Sequence, residues 1–262
     1  MSAILIQARG LIKDFGGLRA VHDLSFQINR GMIFSVIGPN GSGKTTLFNL
    51  ITGFLPVTEG EIFFKGEKIT GLKPFQVSRK GIARTFQLTT LFERNTVLDN
   101  LIIGQRATRE SGVLSCLCGL GRVRLAEKKA LERAHELAAF IGLSRQERVP
   151  AGALPQGAQK QLSIGLALAS APELLLLDEP VGGVNLEDIE ALIELITRIR
   201  NSGVTICLIE HKMSVVMNIS DRILALSYGE KVAEGTPAEV CRDEKVIQSY
   251  LGKKYAAARG SN

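Results

Sequence analysis

The sequence predicts an α/β fold with a largely parallel sheet and an inserted α-helical subdomain. Strands that alternate with helical segments are typical of parallel sheets. Between about Leu88 and Ala169 strand-like runs are missing, which indicates the inserted helical part. The apolar, β-branched runs that predict the strands are MIFSVIG (32–38), EIFFKG (61–66), LLLLDE (174–179), VTICLIE (204–210) and RILALSYG (222–229).

The segment AEKKALERAHELAAFIGL (126–143) has apolar residues at helical spacing and predicts a long helix of the inserted part. Its charged residues are those of a solvated helix face. We therefore expect a single domain in which residues 1–87 and 171–262 form the core and residues 88–170 the helical subdomain.

Composition favours a globular chain of 262 residues, with 45% hydrophobic and 22% charged residues. The net charge of +6 fits phosphate groups or an acidic membrane face, and charge alone leaves nucleic acid open. The longest apolar stretches are shorter than the ~20 residues that a bilayer requires. MSAILIQARG (1–10) has neither a basic leader nor a signal-peptide core. We expect a soluble or peripheral protein in the cytoplasm.

The four cysteines do not predict a metal site. Cys116 and Cys118 form a C-x-C pair, whereas Cys207 and Cys241 are far away in the sequence, and the three histidines are scattered. Zinc sites usually show two such pairs or added histidines at ligand spacing. We expect reduced and mostly buried thiols.

GPNGSGKTT (38–46) matches G-x-x-x-x-G-K-[ST] between a predicted strand and a predicted helix. The glycines allow a tight loop whose N–H groups converge on phosphates. Lys44 adds a charge near the β- and γ-phosphates, and the Thr45 hydroxyl can bind Mg²⁺. A chance match is the alternative. The candidate nucleotide-binding residues are Gly38, Pro39, Asn40, Gly41, Ser42, Gly43, Lys44, Thr45 and Thr46.

LLLLDEP (174–180) is an apolar strand that ends in two carboxylates. Asp178 is placed to hold Mg²⁺ through water, and Glu179 could act as general base toward the attacking water. The alternative is a pair of exposed acids at a strand end.

VTICLIEH (204–211) is a second buried strand, and it ends at His211. In open α/β sheets ligands gather at the carboxyl ends of strands. His211 is therefore predicted to contact the γ-phosphate, with a purely structural histidine as the alternative.

Taken in order, these motifs resemble those of the ATPase subunits of ABC transporters, over essentially the whole chain. The segments that carry the resemblance are KDFGGLRAV (13–21), the phosphate loop, RTFQ (84–87), LPQGAQ (154–159), LLLLDEP (174–180) and IEH (209–211). The resemblance implies a P-loop NTPase (RecA-like) core with an antiparallel β part and an inserted α-helical subdomain. It also implies hydrolysis of ATP with Mg²⁺ as cofactor.

The resemblance assigns further roles. Phe15 matches the aromatic residue that stacks on adenine, with Val21 nearby, and core packing is the alternative for Phe15. Gln87 matches the glutamine that contacts Mg²⁺ and the attacking water, with an ordinary polar residue as the alternative. The implied catalytic set is Lys44, Gln87, Glu179 and His211, and the implied metal set is Thr45, Gln87 and Asp178.

LPQGA (154–158) falls where the family has its signature, usually Leu-Ser-Gly-Gly-Gln, which caps the γ-phosphate bound by the opposite subunit. Leu154, Pro155, Gln156 and Gly157 would form this cap, although Pro155 has neither a hydroxyl nor an N–H to donate. A complete catalytic set beside a weakened signature favours a heterodimer with a second ATPase subunit. The alternative is that Gly157 and the helix N-terminus suffice.

Within the family, DEPVGGVN (178–185) and SYLG (249–252), among other segments, resemble the branched-chain amino acid importer ATPases. Asn185 departs from the aspartate usual in the wider family. The resemblance implies transmembrane permease subunits, an extracytoplasmic solute-binding protein, and a peripheral position at the cytoplasmic face of the cell membrane. The apolar segment ESGVLSCLCGLGRV (110–123) is either a contact with the membrane subunits or a loop that packs on its own subdomain.

The alternatives for function are an ABC ATPase for urea, amides or lipopolysaccharide, a soluble ABC ATPase that acts on nucleic acid or ribosomes, and a non-hydrolysing regulatory subunit. The nucleic-acid class usually has two ATPase units in one chain or a long coiled coil, and neither is present, so no nucleic-acid partner is expected. Glu179 and His211 argue against the regulatory subunit.

Overall fold

The structure is a computed structural model that describes residues 3–85, 91–106 and 120–248. The predictions on Gln87, on most of the segment 110–123 and on SYLG (249–252) lie outside the described residues. None of the described helices is both long and apolar enough to cross a membrane.

Strands and helices alternate through most of the described chain. The strands are β1 (Ile4–Phe15), β2 (Leu18–Asn29), β3 (Ile33–Ile37), β4 (Glu59–Phe64), β5 (Glu67–Lys68), β6 (Ile82–Arg84), β7 (Leu174–Asp178), β8 (Thr205–Ile209), β9 (Arg222–Ser227) and β10 (Glu230–Gly235). The helices are α1 (Lys44–Ile51), α2 (Pro74–Arg79), α3 (Val97–Arg106), α4 (Leu120–Phe140), α5 (Gln156–Leu168), α6 (Leu186–Asn201), α7 (Met213–Ile219) and α8 (Pro237–Arg242).

The larger sheet has the strand order β10-β9-β3-β8-β7-β6 and is parallel except for the edge strand β10. Every residue of β3, β7 and β8 is buried, because the antiparallel strands and α1 pack on one face of the sheet and α5 and α6 pack on the other. The predicted α/β class with a largely parallel sheet is therefore confirmed. The carboxyl ends of β3, β7 and β8 meet at one edge, where the motif residues follow them.

The smaller sheet is antiparallel, with the order β2-β1-β4-β5. The predicted strand EIFFKG (61–66) belongs here as part of β4, so its assignment to the parallel alternation was wrong. β4 pairs with β1 through Ile62 and Ala8, and both side chains are buried on one face. Gly16 lies in the tight turn between β1 and β2. Its φ of 57° is in the left-handed region, which residues with a side chain rarely adopt.

Helices α3, α4 and α5 come between β6 and β7 in the sequence. They pack on one another as a separate helical layer. A Cβ atom on Gly104 of α3 would lie 2.8 Å from the carbonyl oxygen of Leu166 in α5. A Cβ atom on Gly165 would lie 2.6 Å from Cδ1 of Ile141, at the end of α4. Glycine at these positions allows the close packing of the three helices, most clearly at Gly104, where the obstacle is a backbone atom.

Cys207 is fully buried in β8, and burial raises the pKa of its thiol far above the ordinary value. The thiol is therefore inert, as expected. Cys241 is exposed, so the expectation of buried thiols was wrong for this residue. Cys116 and Cys118 lie outside the described residues.

Candidate functional site

A cavity of about 710 Å³ opens at the edge of the parallel sheet where β3, β7 and β8 end. Most of the residues predicted to bind nucleotide line this cavity together with two of the predicted catalytic residues. The lining residues are Phe15, Leu18, Ala20, Asn40, Gly41, Ser42, Gly43, Lys44, Thr45, Thr46, Glu179 and His211.

The phosphate loop passes from the buried strand β3 into α1. The Lys44 ammonium donates to the carbonyl oxygens of Gly38 at 2.8 Å and Pro39 at 2.9 Å, which holds it against the loop. Burial lowers the pKa of Lys44, and the nearby carboxylates of Glu179 and Asp178 oppose that effect. The loop therefore places a cation beside two acids at the mouth of the cavity.

Two loop glycines are required by close packing. A Cβ atom on Gly38, whose φ is 156°, would lie 2.3 Å from the Leu226 carbonyl oxygen. A Cβ atom on Gly43, whose φ is 98°, would lie 2.6 Å from the Ala20 carbonyl oxygen. Because both obstacles are backbone atoms, an added side chain would displace the loop itself.

Glu179 and His211 lie next to each other in the lining of the cavity. The Nε2 atom of His211 lies 3.1 Å from the Oε1 atom of Glu179, and both side chains are partly exposed to the cavity. Glu179 has a φ of 49°, in the left-handed region, at a cost of about 1–3 kcal/mol for a non-glycine residue. Such strain clusters at functional sites, where it fixes the direction of a side chain.

Asp178 lies beneath the cavity in a buried ion pair. Its Oδ2 atom accepts from Arg84 of β6 at 2.9 Å, and the side chains of Asp178 and Arg84 are 3% and 6% exposed. Arg84 also donates to Asn49 Oδ1 at 2.6 Å, in α1. The ion pair thus connects β6, β7 and the helix that follows the phosphate loop.

One wall of the cavity suits a flat ring. The Phe15 ring is 44% exposed, and Lys13 Nζ lies 4.9 Å from its centroid. Val21 was predicted beside the base, but it has no exposed surface and packs behind the loop in the core. Leu18 and Ala20 provide the apolar cavity surface near Phe15 in its place.

The LPQGA segment forms the start of α5 and lies away from this cavity. Pro155 is the N-cap residue and makes no side-chain cap hydrogen bond. A Cβ atom on Gly157 would lie 2.3 Å from Cγ of Asp188, so the Asp188 carboxyl group packs against this glycine. Pro155 and Gln156 are exposed, whereas Leu154 is buried. Gly157 is also buried, so of the four predicted cap residues only Pro155 and Gln156 are available to a second molecule.

Sequence reasoning missed Arg84, Lys160 and Glu210 as members of the site. Lys160 of α5 is only 9% exposed, and its Nζ atom lies 3.4 Å from the Glu179 carbonyl oxygen. Glu210 is 2% exposed and lies directly before His211. Arg84 and Glu210 lie inside the quoted segments RTFQ (84–87) and IEH (209–211), and Lys160 directly follows LPQGAQ (154–159), so their positions were the available signal.

The sequence of the chain matches two protein-family models and several known proteins. The family model described as "ABC transporter" matches residues 21–182, and the model described as "Branched-chain amino acid ATP-binding cassette transporter" matches residues 230–256. The chain is 41% identical over 254 residues to the high-affinity branched-chain amino acid transport ATP-binding protein LivG of Salmonella typhimurium, covering 97% of this chain and 100% of that protein. It is 38% identical to the corresponding protein BraF of Pseudomonas aeruginosa, with the same coverage.

A solved structure supports the fold. A nucleotide-free ATP-binding cassette from an ABC transporter superposes with a TM-score of 0.84 at 32% identity, covering 96% of this chain and 100% of that chain. The same cassette fold is described in an ADP conformation with a TM-score of 0.83. The expected P-loop NTPase core with an antiparallel part and helical segments is confirmed.

Proposed function

The chain belongs to the ABC transporter family of ATP-binding subunits, which are ATPases that power transport, and on that premise we propose that it drives import of branched-chain amino acids. The observation that carries the proposal is the Glu179–His211 pair at 3.1 Å, facing a cavity lined by residues 40–46 of the phosphate loop. A phosphate cradle with a positioned base supports hydrolysis of ATP, and the relatives named for branched-chain amino acids support the solute.

The chain's own residues divide the work of hydrolysis. The loop N–H groups and Lys44 bind the phosphates and stabilise charge on the transferred group. Glu179 accepts the proton of the attacking water, since its carboxylate faces the same cavity. His211 holds the Glu179 carboxylate and donates toward the γ-phosphate. Phe15 stacks on the adenine ring.

The cavity also suits Mg²⁺, which prefers hard oxygen ligands. The Thr45 hydroxyl is exposed in the cavity, and Asp178 lies close enough to influence Lys44. We propose that Thr45 binds the metal directly, that Asp178 does so through water, and that Gln87 completes the set. Bound Mg²⁺ would neutralise charge on the β- and γ-phosphates.

Transport requires permease subunits as partners, and a second cavity is a candidate docking site for a segment of them. A groove of about 500 Å³ lies between the core and the helical layer, and it carries the exposed rings of Phe54, Phe75 and Phe92. Arg84 lines this groove and also pairs with Asp178, so the groove is in contact with the ATP site. We propose that a cytoplasmic segment of the permease docks here, which places the chain at the cytoplasmic face of the membrane.

The second ATPase subunit is proposed to be a different chain. LPQGA lacks the serine of the usual signature, and Pro155 makes no cap hydrogen bond at the start of α5. An N-cap serine typically contributes about 0.5–2 kcal/mol and supplies a hydroxyl to an anion. ATP in this chain's complete cavity would therefore be capped by a partner with a stronger signature. An extracytoplasmic solute-binding protein would deliver the amino acid to the permease.

Uptake of labelled leucine by cells that carry substituted copies of this chain tests the function. We expect Glu179→Gln to abolish uptake of leucine, isoleucine and valine. Phe75→Asp is expected to abolish uptake while the protein, purified with its partner ATPase subunit, still binds and hydrolyses ATP, since the groove lies outside the nucleotide cavity. Unchanged leucine uptake with Glu179→Gln, alongside lost uptake of urea or an amide, would assign another solute.

A further inference from the structure

Glu210 is a buried carboxylate that binds the backbone of two different loops. Its Oε1 atom accepts from the Val181 N–H at 3.0 Å. Its Oε2 atom accepts from the N–H groups of His211 at 2.9 Å and Lys212 at 3.2 Å. A charge that is 2% exposed is costly unless hydrogen bonds satisfy it, and these three bonds do so.

The two loops held by Glu210 carry the proposed catalytic pair. Val181 follows Glu179 by two residues, and the Glu179 N–H itself donates to the Ile209 carbonyl oxygen at 2.9 Å. His211 directly follows Glu210 in the chain. The 3.1 Å distance between His211 and Glu179 therefore depends on where Glu210 fixes both backbones.

Lys160 connects this arrangement to α5. Its ammonium lies 3.4 Å from the Glu179 carbonyl oxygen. Burial lowers the pKa of Lys160, while the carboxylates of Glu179, Glu210 and Asp178 oppose that effect, so all three lie near it. Since α5 begins at Gln156 in the signature, the lysine joins the signature helix to the loop of the general base.

Two further contacts join the start of α5 to the segment after β7. The Gln156 amide nitrogen would lie 3.0 Å from a Cβ atom on Gly183, and the Asp188 carboxyl packs on Gly157. The signature of one chain and the base of the same chain are thus in mechanical contact, although they serve two different ATP molecules in the proposed dimer.

We propose that Glu210 is a positioning residue for the Glu179–His211 pair and that Lys160 couples this pair to the signature helix. This inference rests on the proposed function, because it takes Glu179 and His211 to act in ATP hydrolysis. Its physical content is that the loops at 179–183 and 210–212 and the first turns of α5 move as one unit. A change at the ATP site of this chain would then be passed to the signature that it offers to the partner's ATP.

Glu210→Gln tests the positioning role, because the amide nitrogen that replaces one oxygen donates and would face either the Val181 N–H or those of His211 and Lys212. In the full chain without nucleotide, we expect faster amide hydrogen exchange in peptides covering 179–183, 210–212 and 156–160. In the complex with the partner ATPase subunit, we also expect kcat for ATP to fall about 10- to 100-fold, as for other misplaced catalytic groups, with KM little changed. His211→Ala combined with Glu210→Gln should lower kcat by less than the product of the two single losses, since part of each effect passes through Glu179.

Glu194→Gln is the matched control, because the same change is made on an exposed carboxylate of α6. It should alter neither exchange nor kcat. Faster exchange confined to 210–212, with 156–160 and 179–183 unchanged, would overturn the proposal, as would full additivity with His211→Ala. The exchange result stands even if the wild-type chain fails to hydrolyse ATP, so the two failures are distinguishable.

Lys160→Met provides a second test if Glu210→Gln does not fold. Methionine keeps an apolar side chain of similar length and removes only the ammonium. We expect faster exchange in 156–160 and 179–183 and unchanged exchange in the β1–β2 hairpin. Unchanged exchange in both of the first two segments would show that Lys160 couples nothing.

Discussion

Glu179→Gln is expected to lower ATP hydrolysis by about 10²- to 10⁴-fold, the usual contribution of a positioned general base. Glutamine keeps the size of the side chain and can still meet His211 at the cavity edge. It cannot accept the proton of the attacking water. Binding of ATP should persist or strengthen, since one negative charge beside the phosphates is removed.

Single-turnover release of phosphate by the assembled complex, measured beside binding of a fluorescent ATP analogue, checks this result. Glu194→Gln, on the exposed face of α6, is the control and should hydrolyse ATP as the wild type does. Hydrolysis by Glu179→Gln within a few-fold of the wild type would remove Glu179 from the mechanism.

Arg84→Met is expected to destabilise the chain by about 3–5 kcal/mol, because it leaves the Asp178 carboxylate buried without its cation. Asp178 is only 3% exposed, so water cannot replace the 2.9 Å contact with Arg84. Adding Asp178→Asn should recover part of the loss, since the residual buried group is then neutral. Urea denaturation followed by circular dichroism measures these differences.

Arg19→Met is the matched control for the ion pair. Arg19 and Asp14 also form a bond of 2.8 Å, but their side chains are 41% and 30% exposed. Solvent screens an exposed pair of this kind, so the control should change stability little. Equal losses for the two variants would show that burial of the Arg84–Asp178 pair has no special weight.

Much of the parallel sheet could be predicted because its strands are continuous buried runs. LLLLD (174–178) and TICLI (205–209) have no polar interruption other than their ends, and all their residues are buried. The β1–β2 hairpin was not identified from its own residues, since exposed and buried positions are irregular there and register shifts interrupt the pairing. The three-residue strand β6 is too short to show any period.

The residues of the site likewise divide into those that a sequence motif predicts and those that only the packing of the fold brings together. The phosphate loop is contiguous in sequence, so a single motif predicts its residues and their roles. The contacts of Arg84 with Asp178, and of Lys160 with Glu179, join residues 94 and 19 positions apart. Such pairs depend on how the strands and helices pack, and no local pattern predicts them. Val21 was predicted at the cavity from its position in the sequence. Leu18 and Ala20 do line the cavity, but the side chain of Val21 is buried in the core.

The central claim is that ATP held by this chain is capped by the signature of a different subunit. It is tested most directly by the mass in solution of purified Glu179→Gln protein with Mg-ATP bound, measured by light scattering. The account predicts the mass of a single chain, because Pro155 leaves LPQGA without the usual cap. A stable dimer of the chain with itself, formed only with ATP, would contradict it and show that Gly157 and the start of α5 suffice.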